Sequence, residues 1–545
     1  MTFLLVPHTV TATTATVWIG AIDEDVREKS VALEFGRDAD SHIKDDSYVI
    51  ELDASGWQRW KSYNPLDRLS YNPLERILPK SAPRVKRLHY QRVTLGLEKP
   101  LDARTSYYLK LHVDGHTPDL TKEHLSKEDY LQTGHVTTLP ERLPKEEESV
   151  FTVLLGSCFY RPNDPHGMVG KTYTSIPEGR QPEIKILCGD QVYLDNPWRE
   201  TTLKWYRAFI APGLFRAELF RKYENNWTQV RDEDAGFRRL LRDGANYFIS
   251  DDHEYWNGAP NFGVVAAIHT LRRSQRDWYF REAKTLFQAF QSTSSLTEFE
   301  IDPLSFCIAD TRINRDVKSE RFMDDDDLEA VKRWIKGLKG PGVLVIGQLV
   351  LAGENSIRTF RDKGLIGGTK AFFDRDLLDS IKSLPGDAES FLFDKDLPDY
   401  RPQYDKLIKY IKESPHSIVV LTGDVHFGRV AHGKLKPGSE NKFVEVISSP
   451  MQVVSTPKWK WSRLGFRNKR EFGTYTEAET EVFPELESHR VAYDEHKHEQ
   501  KNHFVTIEFS LAEGTKVNMR VRSWPIMSPK DKHPNPKQVC HLTLP

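Results

Sequence analysis

The chain has 545 residues, more than a single ordinary hydrophobic core accommodates, so its length predicts two or more domains. Its 12 Trp, 20 Tyr and 28 Phe exclude an intrinsically disordered chain. The formal net charge is −2, from 77 basic and 79 acidic residues, which excludes a global electrostatic attraction to nucleic acid or to anionic membranes.

Residues 1–140 carry the pattern of an all-β domain. Alternating apolar and polar residues, many of them β-branched, predict strands in TATVWIGA, VALEFG, YVIELD and YYLKLHVDG. Residues 93–115 resemble the late strands of a fibronectin-type sandwich, so we expect a β-sandwich here. Trp, Pro and Arg interrupt the pattern at 56–90, which predicts a long insertion loop. The Pro-rich, charged segment 137–149 predicts a linker between domains.

Residues 150–545 carry the pattern of an α/β domain. Short continuous apolar runs predict strands buried on both faces in FTVLLGSC, IKILCGD, ANYFISDD, GVLVIGQ and SIVVLTGD. Helical periodicity lies between these runs, at 266–291, 324–338 and 403–414. The alternation predicts a layered α/β domain, and a hairpin is predicted at 503–524.

Side chains with metal-binding atoms follow four of these strands. They are Cys158, Asp190 with Tyr193, the segment 251–254, and Asp424 with His426. In open α/β sheets ligands bind at the carboxyl ends of strands, so we expect these side chains to converge. Clustered carboxylates repel one another and lose hydration, and a bound cation offsets both effects. Oxygen ligands suit ferric iron, calcium, magnesium or manganese, while His and Cys also admit zinc.

Each of these residues alone has an ordinary structural interpretation. An Asp after Gly is usually a turn or helix-cap residue, and a single Cys at a strand end is usually a small core residue. His253 alone fits a loop histidine. The joint occurrence at four strand ends favours a metal site over these separate explanations.

The four motifs, in this order, resemble those of the PhoD-type alkaline phosphatases, a branch of the metallophosphoesterase superfamily. They are SC at 157–158, GDQVY at 189–193, DDHE at 251–254 and GDVH at 423–426. The segment IADTRINRD and the N-terminal sandwich are similar to that branch too, so the resemblance covers nearly the whole chain. It implies a four-layer metallophosphoesterase-like catalytic domain at 150–545, with β-sheets flanked by helices, preceded by the all-β fibronectin-like sandwich at 1–140.

The resemblance also implies a dinuclear metal centre. Ferric iron would be bound by Cys158, Asp190, Tyr193 and Asp424, with Tyr193 as a phenolate. Asp190 and Asp424 would bridge to a second ion, for which the resemblance implies calcium, with zinc, manganese or magnesium as the alternatives. The other residues that the resemblance places at the metal pair are Asp252, Asn257 and His426.

On the substrate side, the resemblance makes His253 the acid that protonates the leaving group. Gln191 stands where some relatives have Arg, which removes one phosphate-binding charge. Arg312 and Arg315 are the predicted replacements as catalytic residues. Both fit equally well as surface strand residues paired with neighbouring aspartates.

These observations predict a metal-dependent phosphoester hydrolase that activates water for attack on phosphorus. The alternative is a catalytically inactive phosphatase-fold protein with a binding or scaffold role. A nuclease receives no support, because no basic, aromatic-rich stripe is evident and nucleic acid is therefore not an expected partner. The substrate stays open among monoesters, diesters, nucleotides and phospholipids, and so does the oligomeric state.

The expected location is the cytoplasm, with reduced cysteines. Four cysteines in this length do not make a disulfide framework, and none forms a CxxC pair. The N-terminus has no basic region before its apolar residues, and no apolar run approaches the roughly 20 residues of a membrane span. An extracellular or periplasmic location is expected instead if a signal has been removed.

Overall fold

The computed structural model is a mixed α/β structure with several multi-stranded sheets and fewer helices. It describes residues 2–23, 25–37, 47–60, 87–119, 125–146, 149–195, 212–231, 235–256, 258–260, 273–316, 319–351, 397–452, 482–494, 496, 499–531 and 533–545.

Two four-stranded antiparallel sheets occupy the N-terminal part, with strand orders β1-β2-β6-β5 and β4-β3-β7-β8. Their strands are β1 (Thr2–Val10), β2 (Ala15–Ile22), β3 (Val31–Arg37), β4 (Tyr48–Glu51), β5 (Gln58–Trp60), β6 (Leu88–Leu95), β7 (Ser106–Val113) and β8 (Thr133–Thr137), with the short helix α1 (Lys127–Leu131) before β8.

The alternation that predicted these strands is visible in their burial. In β7, Tyr107, Leu109 and Leu111 are buried and the residues between them are not, because successive side chains point to opposite faces. The prediction of a loop throughout 56–90 is wrong at both ends. Strands β5 and β6 extend into that range, since their backbones pair with each other, and residues 61–86 lie outside the described part.

Two larger sheets follow, with orders β11-β10-β9-β21-β22-β23 and β12-β13-β14-β15-β17-β16-β18. A two-stranded sheet pairs β19 with β20. The strands are β9 (Phe151–Gly156), β10 (Ile184–Cys188), β11 (Ala245–Ile249), β12 (Leu296–Ile301), β13 (Leu304–Ala309), β14 (Gly342–Val345), β15 (Ile418–Thr422), β16 (Gly428–Lys434), β17 (Lys442–Ile447), β18 (Glu487–Val491), β19 (Tyr493–Asp494), β20 (Glu499–Gln500), β21 (His503–Leu511), β22 (Val517–Pro525) and β23 (Lys537–Leu544).

The five buried strands predicted from apolar runs are all present, as β9, β10, β11, β14 and β15. Strands β9, β10 and β11 run parallel in one sheet, and β13, β14, β15 and β17 run parallel in the other. The carboxyl ends of parallel neighbours lie at one edge of a sheet. Across the two sheets these edges meet, because the Asp424 backbone N–H donates to Ser157 Oγ at 3.1 Å.

The two larger sheets pack face to face over a shared hydrophobic core. Phe306 of β13 contacts Phe151 of β9 and Phe509 of β21 edge-on, with ring centroids 6.2 Å apart in each pair. Helices α2 (Met168–Thr174), α3 (Pro212–Trp227), α4 (Phe237–Arg242) and α5 (Arg273–Phe290) cover the outer face of the six-stranded sheet. Helices α6 (Asp325–Gly337) and α7 (Arg401–Lys412) cover the outer face of the seven-stranded sheet. The layers therefore run helix, sheet, sheet, helix.

Helix α6 has three aspartates in its first turn and Lys336 in its last, as the helix dipole prefers. Among the described residues, no helix combines the length and the apolar character needed to cross a membrane.

Candidate metal centre

The loops after β9, β10 and β15 adopt an uncommon backbone conformation at the predicted ligands. Cys158, Asp190 and Asp424 have φ angles of 57°, 60° and 67°, and His426 has 57°. Outside glycine, such left-handed conformations cost about 1–3 kcal/mol each and persist only where the surrounding structure enforces them. The same strain at three strand ends indicates that the surrounding structure holds these side chains in place.

Two glycines in the Gly-Asp motifs make the close approach of these loops feasible. A side chain at Gly189, whose φ is 79°, would collide with Asp251. A Cβ at Gly423 would lie 2.6 Å from the Cys188 carbonyl oxygen and 2.5 Å from Ser157 Cβ. Each motif therefore requires glycine, because the strand ends pack too closely for a side chain at that position. This close packing brings the aspartate that follows each glycine into the cluster.

Cys158 lies where three strand ends meet. Its Sγ is 3.4 Å from Asp190 Oδ2 and 3.0 Å from the Asp424 carbonyl oxygen, and Ser449 Oγ donates to it at 3.1 Å. Burial raises the pKa of the Cys158 thiol well above its ordinary value, and the charges of Asp190 and Asp424 raise it further. A thiolate at this position therefore requires a compensating cation.

Tyr193 gives the clearest test of whether a metal fits. Its side chain is 3% exposed, and its ring packs 4.1 Å from the His253 ring and 5.4 Å from the Tyr160 ring. The buried phenol oxygen has no hydrogen-bond partner among the described residues. Leaving such a group unsatisfied costs about 1–3 kcal/mol, and a cation that binds the phenolate removes that cost. Burial raises the pKa of Tyr193, and Cys158 and Asp190 add to the shift.

Carboxylates extend the cluster away from Cys158. Ligand atoms lie within 4.8 Å of one another in three overlapping groups, which are Cys158 with Asp190 and His426, Asp190 with Asp252 and His253, and Asp251 with Asp252 and Asp424. Asp190 and Asp252 each belong to two groups, so the donors form one continuous cluster that suits two adjacent cations. Burial raises the pKa of Asp190 well above its ordinary value; Asp252 and Glu254 reinforce the shift, and His253 opposes it.

His253 is oriented by two acidic residues of the loop after β10. Its backbone N–H donates to Asp190 Oδ1 at 3.1 Å, and its Nδ1 lies 2.7 Å from Oδ1 of the fully buried Asp195. The other ring nitrogen, Nε2, is 4.0 Å from Asp252 Oδ1. Burial alone lowers the pKa of His253, but Asp195, Asp252 and Asp190 outweigh burial and raise the pKa well above its ordinary value.

Sequence reasoning assigned no role to Asp195, although it belongs to the same polar segment as Asp190. The only indication in the sequence was that Asp195 lies in the loop after a strand, and aspartates are common in such loops. Contact with His253 becomes evident once the loops after β10 and β11 lie side by side.

Glu254 is another residue beside the cluster to which sequence reasoning assigned no role. Its buried carboxylate accepts hydrogen bonds from the backbone N–H groups of Asp190, Gln191 and Asp251 at 2.7, 2.7 and 2.9 Å. Glu254 thus fixes the loop that presents Asp190. The DDHE motif contained this residue, but its role depends on a loop about sixty positions earlier in the chain.

The side chain of Gln191 is turned into the protein interior. Its Nε2 donates to the Gly189 carbonyl oxygen at 2.5 Å, and its Oε1 accepts from Gln291 Nε2 at 3.0 Å. Gln191 is fully buried. It therefore stabilises the loop after β10 and helps join it to the end of α5, instead of offering a group to a phosphate.

The interpretation of Arg312 as a surface residue is wrong, because its side chain is buried, whereas its catalytic role stays a prediction. Arg312 is 0% exposed, and its Nε donates to Asp251 Oδ1 at 2.7 Å. Its Nη1 donates to the Ala259 carbonyl oxygen, also at 2.7 Å. The guanidinium holds the loop after β11, because the Asp251 carboxylate is its partner inside the protein.

Arg315 is likewise buried instead of exposed, but it is connected to the cluster. Its Nη2 donates to Gln348 Oε1 at 2.7 Å, and Gln348 Nε2 donates to Asp424 Oδ2 at 3.2 Å. Its guanidinium also lies over the Tyr400 ring, 5.0 Å from the centroid. Arg315 therefore acts on Asp424 through Gln348, which follows β14 and which the sequence did not single out.

The remaining predicted ligands have different placements. Asp252 is buried, and its Oδ2 accepts the Gly258 backbone N–H at 2.8 Å. His426 is exposed, and its backbone N–H donates to Ser449 Oγ at 3.0 Å. Asn257 lies outside the described residues, so its assignment stays a prediction.

Comparisons with known proteins add little to this geometry. No protein-family model matches the chain, and no curated protein matches it. A solved glycosyl hydrolase family 2 member from Bacteroides cellulosilyticus aligns with 97% of this chain and 68% of its own length, at 10% identity and a TM-score of 0.23. A likeness this weak carries no argument about fold or activity.

Proposed function

We propose that this chain is a metal-dependent phosphoester hydrolase with a dinuclear centre and a PhoD-like set of ligands. The observation that carries the proposal is the buried strand-end cluster, in which the Cys158 thiol, the Tyr193 phenol and several carboxylates converge. The order of the four motifs along the chain and the helix–sheet–sheet–helix layers support a metallophosphoesterase type of fold.

The donors divide into two sets. Cys158 and Tyr193, with Asp190 and Asp424, would hold ferric iron, because they offer a thiolate, a phenolate and two carboxylates. Asp252 and the same two carboxylates offer oxygen ligands, which suit calcium, with zinc, manganese or magnesium as alternatives. When bound, such cations polarise phosphoryl oxygens and acidify water.

The chain's own residues supply the proton chemistry. Asp195 holds Nδ1 of His253, and Nε2 lies on the side of the carboxylate cluster. Asp195 raises the pKa of His253 and is not among the proposed metal ligands, so it favours the protonated imidazolium also when cations occupy the cluster. The imidazolium then donates its Nε2 proton to the leaving oxygen as the P–O bond breaks. Arg315, through Gln348, positions Asp424 for this reaction.

Elemental analysis combined with aryl phosphate turnover tests the proposal. The purified protein should contain iron and hydrolyse p-nitrophenyl phosphate or its diester, and chelation should abolish the activity until metal is restored. Asp190→Asn should be inactive, whereas Asp326→Asn, at an exposed position of α6, should behave as wild type. Metal-loaded protein that hydrolyses neither ester would overturn the proposal in favour of a binding or scaffold role.

A further inference from the structure

Two histidines and a glutamate share one face at the edge of the seven-stranded sheet. Strand β18 pairs antiparallel with β16, so that Val430 opposes His489 and His432 opposes Glu487. Opposed residues, and residues two apart on one strand, project from the same face. His432, Glu487 and His489 therefore lie side by side.

Their distances suit a shared cation. One ligand atom from each residue lies within 4.8 Å of those of the other two, and His432 Nε2 is 3.7 Å from Glu487 Oε2. The rings of His432 and His489 are inclined to each other by 30°, with centroids 5.6 Å apart. The His432 side chain is 16% exposed and that of Glu487 is 71% exposed. One ligand is thus anchored in the sheet, while the exposed glutamate can adjust its rotamer.

The group offers nitrogen and oxygen donors. Neutral imidazole is the form of histidine that binds metals, and each of the two histidines supplies one. Among the described residues, Cys540 on the neighbouring strand β23 is not part of the group whose ligand atoms lie within 4.8 Å of one another. The donor set is therefore two imidazoles and one carboxylate.

We propose that His432, Glu487 and His489 form a second metal site, for zinc or a similar divalent transition metal, that ties the edge strand β18 to β16. Two histidines and one glutamate are a ligand set that zinc accepts, whereas calcium and magnesium prefer oxygen donors alone. His432 is four residues along β16 from Gly428, about 13 Å at the rise of an extended strand, so this site is separate from the strand-end cluster. A cross-strand metal would protect a sheet edge from fraying and from pairing with another chain.

Zinc titration of the full chain with its resident metals tests this site, using a chromophoric chelator as competitor. Wild type should bind one equivalent of zinc at this site. His432→Ala and His489→Ala should bind it about 10–100-fold more weakly or worse, because removing even an outer partner of a metal ligand lowers metal affinity by that factor. His541→Ala, at an exposed position of β23, is the matched control and should retain the equivalent. Asp190→Ala should retain it too, because the site is independent of the strand-end cluster.

Thermal melts give a second measurement. His489 is exposed, so its truncation leaves the core packing unchanged. Zinc should raise the Tm of wild type and of His541→Ala, and should leave the Tm of His489→Ala unchanged. The proposal would be overturned if wild type, His432→Ala and His489→Ala bound the same number of zinc ions and showed the same zinc-induced shift in Tm. Loss of this zinc equivalent in Asp190→Ala, with retention in His489→Ala, would do so as well.

Discussion

Asp195→Asn is the sharpest perturbation of the proposed proton donor. The Asp195 carboxylate is fully buried, and Oδ1 lies 2.7 Å from Nδ1 of His253. Asparagine keeps the shape of the side chain but removes its charge. The imidazole then loses the partner that both orients the ring and stabilises its protonated form.

The expected magnitude follows from this single contact. A hydrogen bond to a charged group contributes about 1.5–3 kcal/mol net, and about 1.4 kcal/mol corresponds to a tenfold change in rate. Asp195→Asn should therefore lower kcat by about 10–10²-fold for an ester with a basic leaving group. This loss is smaller than, or at most equal to, the lower limit of the roughly 10²–10⁴-fold effect of removing a general acid altogether.

The assay compares phenyl phosphate with p-nitrophenyl phosphate. The loss should be large for phenyl phosphate and small for p-nitrophenyl phosphate, whose leaving group needs little protonation, and the metal content should not change. Because Asp195 acts through His253, Asp195→Asn should add no further loss to His253→Ala. A double variant that is clearly slower than His253→Ala, or an Asp195→Asn protein that has lost metal, would refute this reasoning.

Tyr193→Phe should remove the visible charge-transfer absorption of the iron-containing protein; a colourless, fully active wild type that contains zinc alone contradicts the phenolate assignment. Asp190→Ala should lose metal and nearly all activity, because Asp190 belongs to two ligand groups. His253→Ala should keep its metal and lose about 10²–10⁴-fold in rate, and metal loss would instead identify the imidazole as a ligand. The metal-stripped protein should lose stability as pH rises above about 4, because burial raises the folded-state pKa of Asp190 above its unfolded value. The contribution of Asp190 to the free energy of unfolding is complete below its unfolded pKa and disappears as pH rises through its folded pKa. Denaturant melts in which the free energy of unfolding does not decline over this range would contradict the prediction.

The strands that present the cluster could be predicted because their signals are local. The run IKILCGD contains apolar Ile184, Ile186 and Leu187 and then Gly189, and the strand in the structure ends at Cys188. Parallel pairing then determines which edge the polar loops share, so convergence of Asp190 with the loop after β11 follows from topology.

The partners of individual side chains could not be predicted, because they come from distant parts of the chain. The sequence shows two arginines near a strand end, but not that Asp251, about sixty positions earlier, would bind the guanidinium of Arg312 inside the protein. In the same way Gln348 was visible at the end of GVLVIGQ, yet its bridge between Arg315 and Asp424 needs three separate segments in contact. The hydrophobic pattern of the sequence was enough to predict where the loops lie. The hydrogen-bond partners within those loops depend on the tertiary fold and could not be predicted from that pattern.

The strand-end cluster also concentrates features that destabilise the folded chain. Cys158, Asp190 and Asp424 hold left-handed backbone conformations, and the Tyr193 hydroxyl is buried with no hydrogen-bond partner among the described residues. The two large sheets and their helical layers bury extensive apolar surface, and the resulting hydrophobic stabilisation offsets these free-energy costs. A ligand that binds only the folded cluster adds its binding free energy to folding, so a cation at these donors offsets the same costs. The left-handed residues Cys158, Asp190 and Asp424 therefore follow strands β9, β10 and β15, which are buried along their whole length and bring these donors together.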